Sequence, residues 1–171
     1  LIRLMEASLS TQRPDFARKL ARTWLQVWSE DFTVNLLLAQ SLIAENNQHE
    51  AFVILKKLAT VDPEKVSVHK ILASAARTIG ENEVLSLSDG LTRILLGQSL
   101  PRIPWLVSTR ESYTAIENLQ WEIASKAAEQ ALQANPSSPL PALLLIKSYW
   151  LSGKTELAFP LAQGFYDMWP E

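Results

Sequence analysis

Apolar residues recur at helical spacing along almost the whole chain, and strict alternation of apolar and polar residues is rare. Leu38 and Leu42 are one example, and Ala51, Leu55 and Leu58 are another. A spacing of three to four residues places such side chains on one face of an α-helix. The pattern therefore predicts helices throughout the chain and no sheet.

Short polar, glycine-containing or proline-containing stretches separate the predicted helices. These breaks fall at residues 10–14, 46–47, 62–63, 80, 97–104, 118, 135–139 and 152–153. Glycine just after a helix and proline beyond it are stop signals, because one adopts left-handed geometry and the other lacks an N–H group. The segments between the breaks run about 10–16 residues, an ordinary helix length. We therefore expect about ten antiparallel helices joined by short turns.

Similar residues recur along the chain at intervals of 34 positions. The pairs are Leu4 and Leu38, Ala17 and Ala51, Ala124 and Ala158, and Pro136 and Pro170. The step from Ala51 to Ala124 is 73, or two periods plus five residues, and the stretch 97–104 has room for the extra five. A fixed period of this length is typical of helical repeat proteins. The predicted units cover about residues 1–31, 32–65, 66–99, 105–138 and 139–171, with an insert at 98–104.

The small, large and proline positions of these units resemble those of the tetratricopeptide repeat (TPR) family. The second repeat unit carries Leu38, Ala39, Leu42, Ala51, Leu55, Leu58 and Pro63, and the last repeat unit carries Leu145, Ile146, Tyr149, Ala158, Ala162, Phe165 and Pro170. The resemblance implies an all-α fold, an α-solenoid of about five antiparallel helix pairs in a right-handed superhelix, as a single domain over 1–171. Other α-solenoids, or a non-repetitive bundle, stay open for the middle units. Because a unit-ending proline stands next to the last residue and the final helix is aromatic, we expect a fragment of a longer protein.

The resemblance also implies that the first helix of each pair lines a concave groove that binds a protein or peptide. The groove positions carried over to this chain are Leu36, Gln40, Ile43, Lys70, Ser74, Arg77, Tyr113, Lys147 and Trp150, with Ile2, Glu6, Leu9, Thr109, Ile116 and Leu143 at the remaining offsets. Within each helix the offsets are i, i+4 and i+7, which share one helical face. The strip has apolar ends and a polar or basic centre, which suits an extended peptide or a helix.

Composition and motifs argue against the other broad classes of function. The net charge is -2 and cysteine is absent, so we expect no nucleic-acid partner and no disulfide or thiol chemistry. No apolar run approaches the roughly 20 residues that a membrane span requires. Five scattered glycines form no phosphate-binding loop, and His49 and His69 lie too far apart for a metal-binding pair, so both are predicted at surface or turn positions. We therefore predict no enzyme activity, no cofactor and no metal.

The leading hypothesis is a non-catalytic scaffold for protein–protein contact, with a weakly indicated cytoplasmic location. Two alternatives remain open: self-association as a homodimer through the aromatic final helix, and a regulatory helical region attached to an enzyme or transcription factor. The final helix carries Phe159, Phe165, Tyr166, Met168 and Trp169. Trp24 and Trp28 are one turn apart and share a helix face, and Trp24 is predicted to fill the core.

Overall fold

A computed structural model describes the chain from residue 1 to residue 168; Trp169 and Pro170 of the sequence predictions lie outside the described residues. Ten α-helices and no strand are found in that range, so the prediction of an all-α fold is confirmed. Their bounds are α1 Ile2–Ser10, α2 Pro14–Leu25, α3 Phe32–Ala44, α4 Gln48–Val61, α5 Val66–Ile79, α6 Asn82–Leu95, α7 Pro104–Glu117, α8 Trp121–Ala134, α9 Pro139–Leu151 and α10 Thr155–Met168.

The turn inside each helix pair has the same backbone geometry in all five pairs. A residue with φ between 57° and 85° follows the first helix, at Gln12, Asn46, Gly80, Leu119 and Gly153. The N–H of the next residue then donates to a carbonyl five positions back, over 2.8–2.9 Å, which satisfies the helix end. Successive turns are 34, 34, 39 and 34 residues apart. The 34-residue period and its five-residue insertion are therefore present in the backbone as well as in the sequence.

Leu119 is the least suitable of these turn residues, and its replacement by glycine is expected to stabilise the protein. Left-handed geometry at a residue with a branched side chain destabilises the folded state by about 1 kcal/mol. Leu119 is 70% exposed, so burial of its side chain offsets little of this loss. Leu119→Gly should therefore raise the free energy of unfolding by about 1 kcal/mol, measured by urea unfolding. Gly153→Ala is the matched control at the same turn of the next pair, where a Cβ meets no neighbour, and it should lower that free energy. An unchanged stability for both variants would contradict this account of the turn.

The helices divide into two compact units, and the division falls within α6 after Ser88. In the first unit, residues 1–88, each helix from α1 to α4 packs on the next, and α3 also contacts α1 and α5. Ala17 of α2 and Ala51 of α4 are fully buried at positions 34 residues apart, which allows neighbouring helices to approach closely. Leu4, the predicted counterpart of Leu38, is 50% exposed, whereas the adjacent Met5 is fully buried. Leu4 and Leu38 hold the same place in the repeat, since each precedes by eight positions the left-handed turn residue of its pair, Gln12 or Asn46, but their burial differs.

The second unit, from Asp89 onward, repeats this packing with α7 to α10, where α7 contacts both α8 and α9. Ala124 of α8 and Ala158 of α10 are buried, again 34 residues apart. The buried Ser112 hydroxyl of α7 donates to the Ala124 carbonyl over 2.8 Å. Within each unit, the packing of successive helix pairs is consistent with a solenoid-like arrangement.

The connection from α6 to α7, residues 96–103, contains the predicted insertion. Arg110 of α7 holds this loop, because its Nη2 group donates to the carbonyl oxygens of Arg93, at 3.1 Å, and of Gln98. Arg93 also pairs with Asp89 one turn earlier, over 2.9 Å. The loop is therefore tied at several points to the helices on either side of it.

Candidate functional site

In the first unit, Ile2, Glu6 and Leu9 lie on α1, where the first two are exposed and Leu9 is half-buried. The other six predicted groove residues lie on α3 and α5, two helices that contact each other. Leu36, Gln40 and Ile43 on α3 are half-buried. Lys70, Ser74 and Arg77 on α5 are exposed, and neither cation forms an ion pair among the described residues. We call these six residues the first-helix strip. It is an accessible surface with an apolar half and a basic half.

The predicted groove residues of the second unit lie on α7 and α9, which are also in contact. Tyr113 and Lys147 are half-buried, and Trp150 is exposed and packs edge-on against Phe159 of α10, with ring centroids 5.7 Å apart. Thr109 is fully buried and donates its hydroxyl proton to the Trp105 carbonyl over 2.6 Å. The expectation that Thr109 lines an open groove is therefore wrong, because its side chain is used inside the helix packing.

Tyr149 of α9 is held beside this surface by Glu129 of α8. Its hydroxyl donates to Glu129 Oε1 over 2.5 Å. This hydrogen bond, with burial as a smaller cause, raises the pKa of Tyr149 to about 12. The phenol therefore stays protonated at neutral pH and fixes the position of α9 against α8.

A second accessible surface, which the repeat pattern did not predict, lies at the end of α2 and in the loop that leads to α3. Trp24 and Trp28 lie there with ring centroids 6.3 Å apart and planes tilted by 34°. The prediction that they share a helix face is wrong, because α2 ends at Leu25 and Trp28 lies in the loop after it. Trp24 is 38% exposed and Trp28 is 59% exposed, so the prediction that Trp24 fills the core is wrong. The fully buried positions of α2 are Ala17 and Ala21, whereas the indole ring of Trp24 lies along the surface. We call Trp24, Val27 and Trp28 the tryptophan patch.

Two carboxylates in the same loop border the tryptophan patch. Asp31 caps α3, because its Oδ1 accepts a hydrogen bond from the Val34 N–H over 3.0 Å, and its Oδ2 accepts one from Trp24 Nε1 over 2.9 Å. Glu30 pairs with Lys57 of α4 over 2.8 Å, and the hydrogen bond from Lys57 lowers the pKa of Glu30. In the sequence, the run of apolar and acidic residues from Trp24 to Asp31 is the signal for this surface. The repeat pattern assigned part of that run to the core.

The two histidines differ from each other in burial. His49 is exposed, as predicted, but His69 is fully buried at the start of α5, so its predicted surface position is wrong. Its Nε2 lies 2.8 Å from the Pro63 carbonyl oxygen, which only accepts, so Nε2 carries the proton. The Nδ1 atom has no hydrogen-bond partner, and no group of three metal-ligating side chains occurs among residues 1–168. His69 is therefore a packed histidine that ties α5 to the preceding turn.

Acidification is expected to destabilise the first unit through His69. Burial lowers the pKa of His69, although the Pro63 hydrogen bond and the charge of Asp62 oppose this shift. When the pKa of a histidine is lower in the folded than in the unfolded protein, the neutral side chain contributes fully to the free energy of unfolding above the unfolded pKa, about 6.5. That contribution is lost as the pH falls toward the pKa of the folded state. His69→Gln should remove most of the stability difference between about pH 7.5 and about pH 5.5, measured by urea unfolding at both pH values. His49→Gln should retain it, and a retained difference in His69→Gln would exclude His69 as its source.

No protein-family model matches this chain. No curated protein is significantly similar to it in sequence. Among the described residues, no helix is long and apolar enough to cross a membrane. The candidate sites therefore depend on the geometry of the two surfaces described above.

Proposed function

We propose that this chain is a non-catalytic, TPR-like scaffold whose first-helix strip binds an extended peptide or a helix of a protein partner. The observation that carries the proposal is the contact of α3 with α5, which sets the two halves of the strip side by side on an accessible surface. The shared turn geometry at 34-residue intervals supports the TPR-like assignment. The proposal needs no cofactor and no metal, and it keeps the cytoplasmic location as a prediction.

The composition of the strip favours a partner with both apolar and acidic side chains. Leu36 and Ile43 offer partly buried apolar surface, which packs against partner side chains. Lys70 and Arg77 offer charges without an ion-pair partner among the described residues, and such charges add specificity and speed of association. We therefore expect acidic residues in the peptides that this strip selects.

Charge reversal at Lys70 and Arg77 tests this proposal. Peptides are first selected against the wild-type protein from a random displayed library, and their affinities are then measured by calorimetry. The double variant Lys70→Glu with Arg77→Glu should weaken them about tenfold or more without lowering the thermal midpoint. The matched control is Lys19→Glu with Lys56→Glu, which makes the same charge change at exposed positions on α2 and α4. Equal affinity for both double variants, or a parallel loss of stability, would reject the strip as the binding site.

Self-association through α10 is a second candidate function, and one observation favours it. The helix exposes large apolar side chains, with Phe159 at 63% and Tyr166 at 55%, and its described helix contacts are with α9. Exposed apolar patches of this kind often mark protein interfaces. Light scattering over a range of concentrations should then show a dimer that Phe159→Lys converts to a monomer. A wild-type monomer at every concentration would exclude this candidate.

A further inference from the structure

The tryptophan patch and its two bordering carboxylates form a site that is separate from the first-helix strip. We infer that Trp24 and Trp28, together with Glu30 and Asp31, bind the side chain of a lysine on a protein partner. This inference goes beyond the proposed function, because the site lies on α2 and the loop after it, whereas the strip lies on α3 and α5.

The two indole rings supply the attraction for a cation. The face of a tryptophan ring carries partial negative charge, and it attracts an ammonium group within about 6 Å of the ring centre. Because the ring centroids are 6.3 Å apart, one ammonium group can lie within about 6 Å of both. Trp24 is fixed by the hydrogen bond from its Nε1 to Asp31, and a fixed ring loses little freedom when a ligand binds.

The charges around the patch are asymmetric and place the cation on one side of the rings. A surface cavity of about 610 Å³ is lined by the tryptophan patch with Ser29, Glu30 and Asp31. Glu30 is paired with Lys57, whereas Asp31 forms no ion pair among the described residues. Asp31 accepts hydrogen bonds from two uncharged N–H groups, which leave its negative charge in place. A cavity of about 330 Å³ shares the tryptophan patch and is lined by Lys19, which repels a second cation. The ammonium group is therefore drawn to the side of Asp31, whose charge is not neutralised by a cation among the described residues.

The apolar part of the patch suits the rest of a lysine side chain. Val27 lies between the two tryptophans in sequence, is 74% exposed and lines both cavities. A lysine stem is a chain of four methylene groups, which covers apolar surface while the ammonium group stays with the charges. An acidic side chain would meet the same two carboxylates and be repelled.

A pair of short peptides, identical except for one lysine or one norleucine, tests the inference. Binding is followed by the indole N–H signals in nuclear magnetic resonance spectra, and the signals of Trp24 and Trp28 are assigned from phenylalanine variants. The lysine peptide should shift these two signals and bind about threefold to tenfold more tightly than the norleucine peptide. Equal binding of the two peptides would overturn the inference, because the attraction would then be apolar only.

Three variants locate the site and separate it from the first-helix strip. Trp28→Leu keeps an apolar side chain but removes the ring, and Asp31→Asn removes a charge but keeps a residue that caps helices well. Each should weaken the lysine peptide about threefold or more, with little effect on the norleucine peptide. Trp121→Leu, at a half-buried tryptophan of the second unit that belongs to neither surface, should change neither affinity. Full binding by Trp28→Leu would overturn the inference.

The charge-reversed strip variant makes the two proposals distinguishable. Lys70→Glu with Arg77→Glu should leave the binding of the lysine peptide unchanged, even where it abolishes the binding of the selected acidic peptides. Loss of lysine-peptide binding in that variant, with a normal thermal midpoint, would place the lysine site on the strip and overturn the assignment to the tryptophan patch.

Discussion

Gly90→Ala is expected to destabilise the protein, although alanine is the better helix former. Gly90 is buried in α6, and a Cβ built on it would lie 2.6 Å and 2.9 Å from the two terminal methyl carbons of Leu106. Leu106 is fully buried in α7, so its side chain has little room to move. Overpacking a core costs about 1–3 kcal/mol, whereas the helix propensity returns about 0.5–1 kcal/mol. We expect a net loss of about 1–2 kcal/mol in the free energy of unfolding, measured by urea unfolding.

Gly164→Ala is the matched control for this substitution. Gly164 also lies inside a helix of the second unit, α10, but an added Cβ would meet no atom within 4 Å. This variant should gain about 0.5–1 kcal/mol from helix propensity alone, so the two glycine substitutions should have opposite signs. Leu106→Ala should cost much less in the Gly90→Ala background than in the wild type, because the added methyl group occupies part of the space that Leu106 leaves. Additive effects would show that Gly90 and Leu106 do not share this space.

Helix periodicity and turn chemistry predicted most of the fold from the sequence. Gly80 and Gly153 are ordinary signals for a left-handed residue at a helix end, and Asn46 is a weaker one. Gln12 and Leu119 adopt the same geometry without any such signal, because the packing of each helix pair imposes the turn. The local residues at 10–14 and 118 predicted breaks at these two turns, but they did not predict the left-handed geometry of Gln12 and Leu119.

The exposed fraction of individual side chains and the close approach of neighbouring helices could not be predicted in the same way. Apolar periodicity gives the inward face of a helix, but it does not tell which neighbours cover the ends of that face. Trp24 was assigned to the core because it occupies a packing position of its unit, yet it lies on the surface and its indole donates to Asp31. In the sequence, Gly90 resembles a glycine that merely weakens a helix. Its close approach to Leu106 in the structure explains why a residue without a Cβ occupies this position.

The positions of the first-helix strip were predicted from the family resemblance, and in the structure they lie on the neighbouring helices α3 and α5 of the first unit. What they bind depends on side chains that a repeat pattern does not specify, such as the unpaired charge of Lys70 on the surface of α5. Thr109 illustrates the limit of the pattern, because it occupies a groove offset and is nevertheless fully buried.

Ala51→Leu is expected to have the largest effect on stability of the changes considered for the first unit. Ala51 is fully buried on α4, which packs against both α3 and α5, and its small side chain allows this approach. Three added carbon atoms must displace neighbouring side chains, so we expect a loss of about 2–3 kcal/mol in the free energy of unfolding.

Ala44→Leu and Ala124→Leu complete this test of the repeated packing. Ala44, near the end of α3, is exposed, so leucine there should change the stability by less than about 0.5 kcal/mol. Ala124 occupies the equivalent buried position of α8 in the second unit, and leucine there should cost as much as at Ala51. Urea unfolding followed by circular dichroism measures all three variants. A large loss of stability in Ala51→Leu with none in Ala124→Leu would show that the two alanines have different surroundings. The repeated packing of small residues would then be excluded for one of the units.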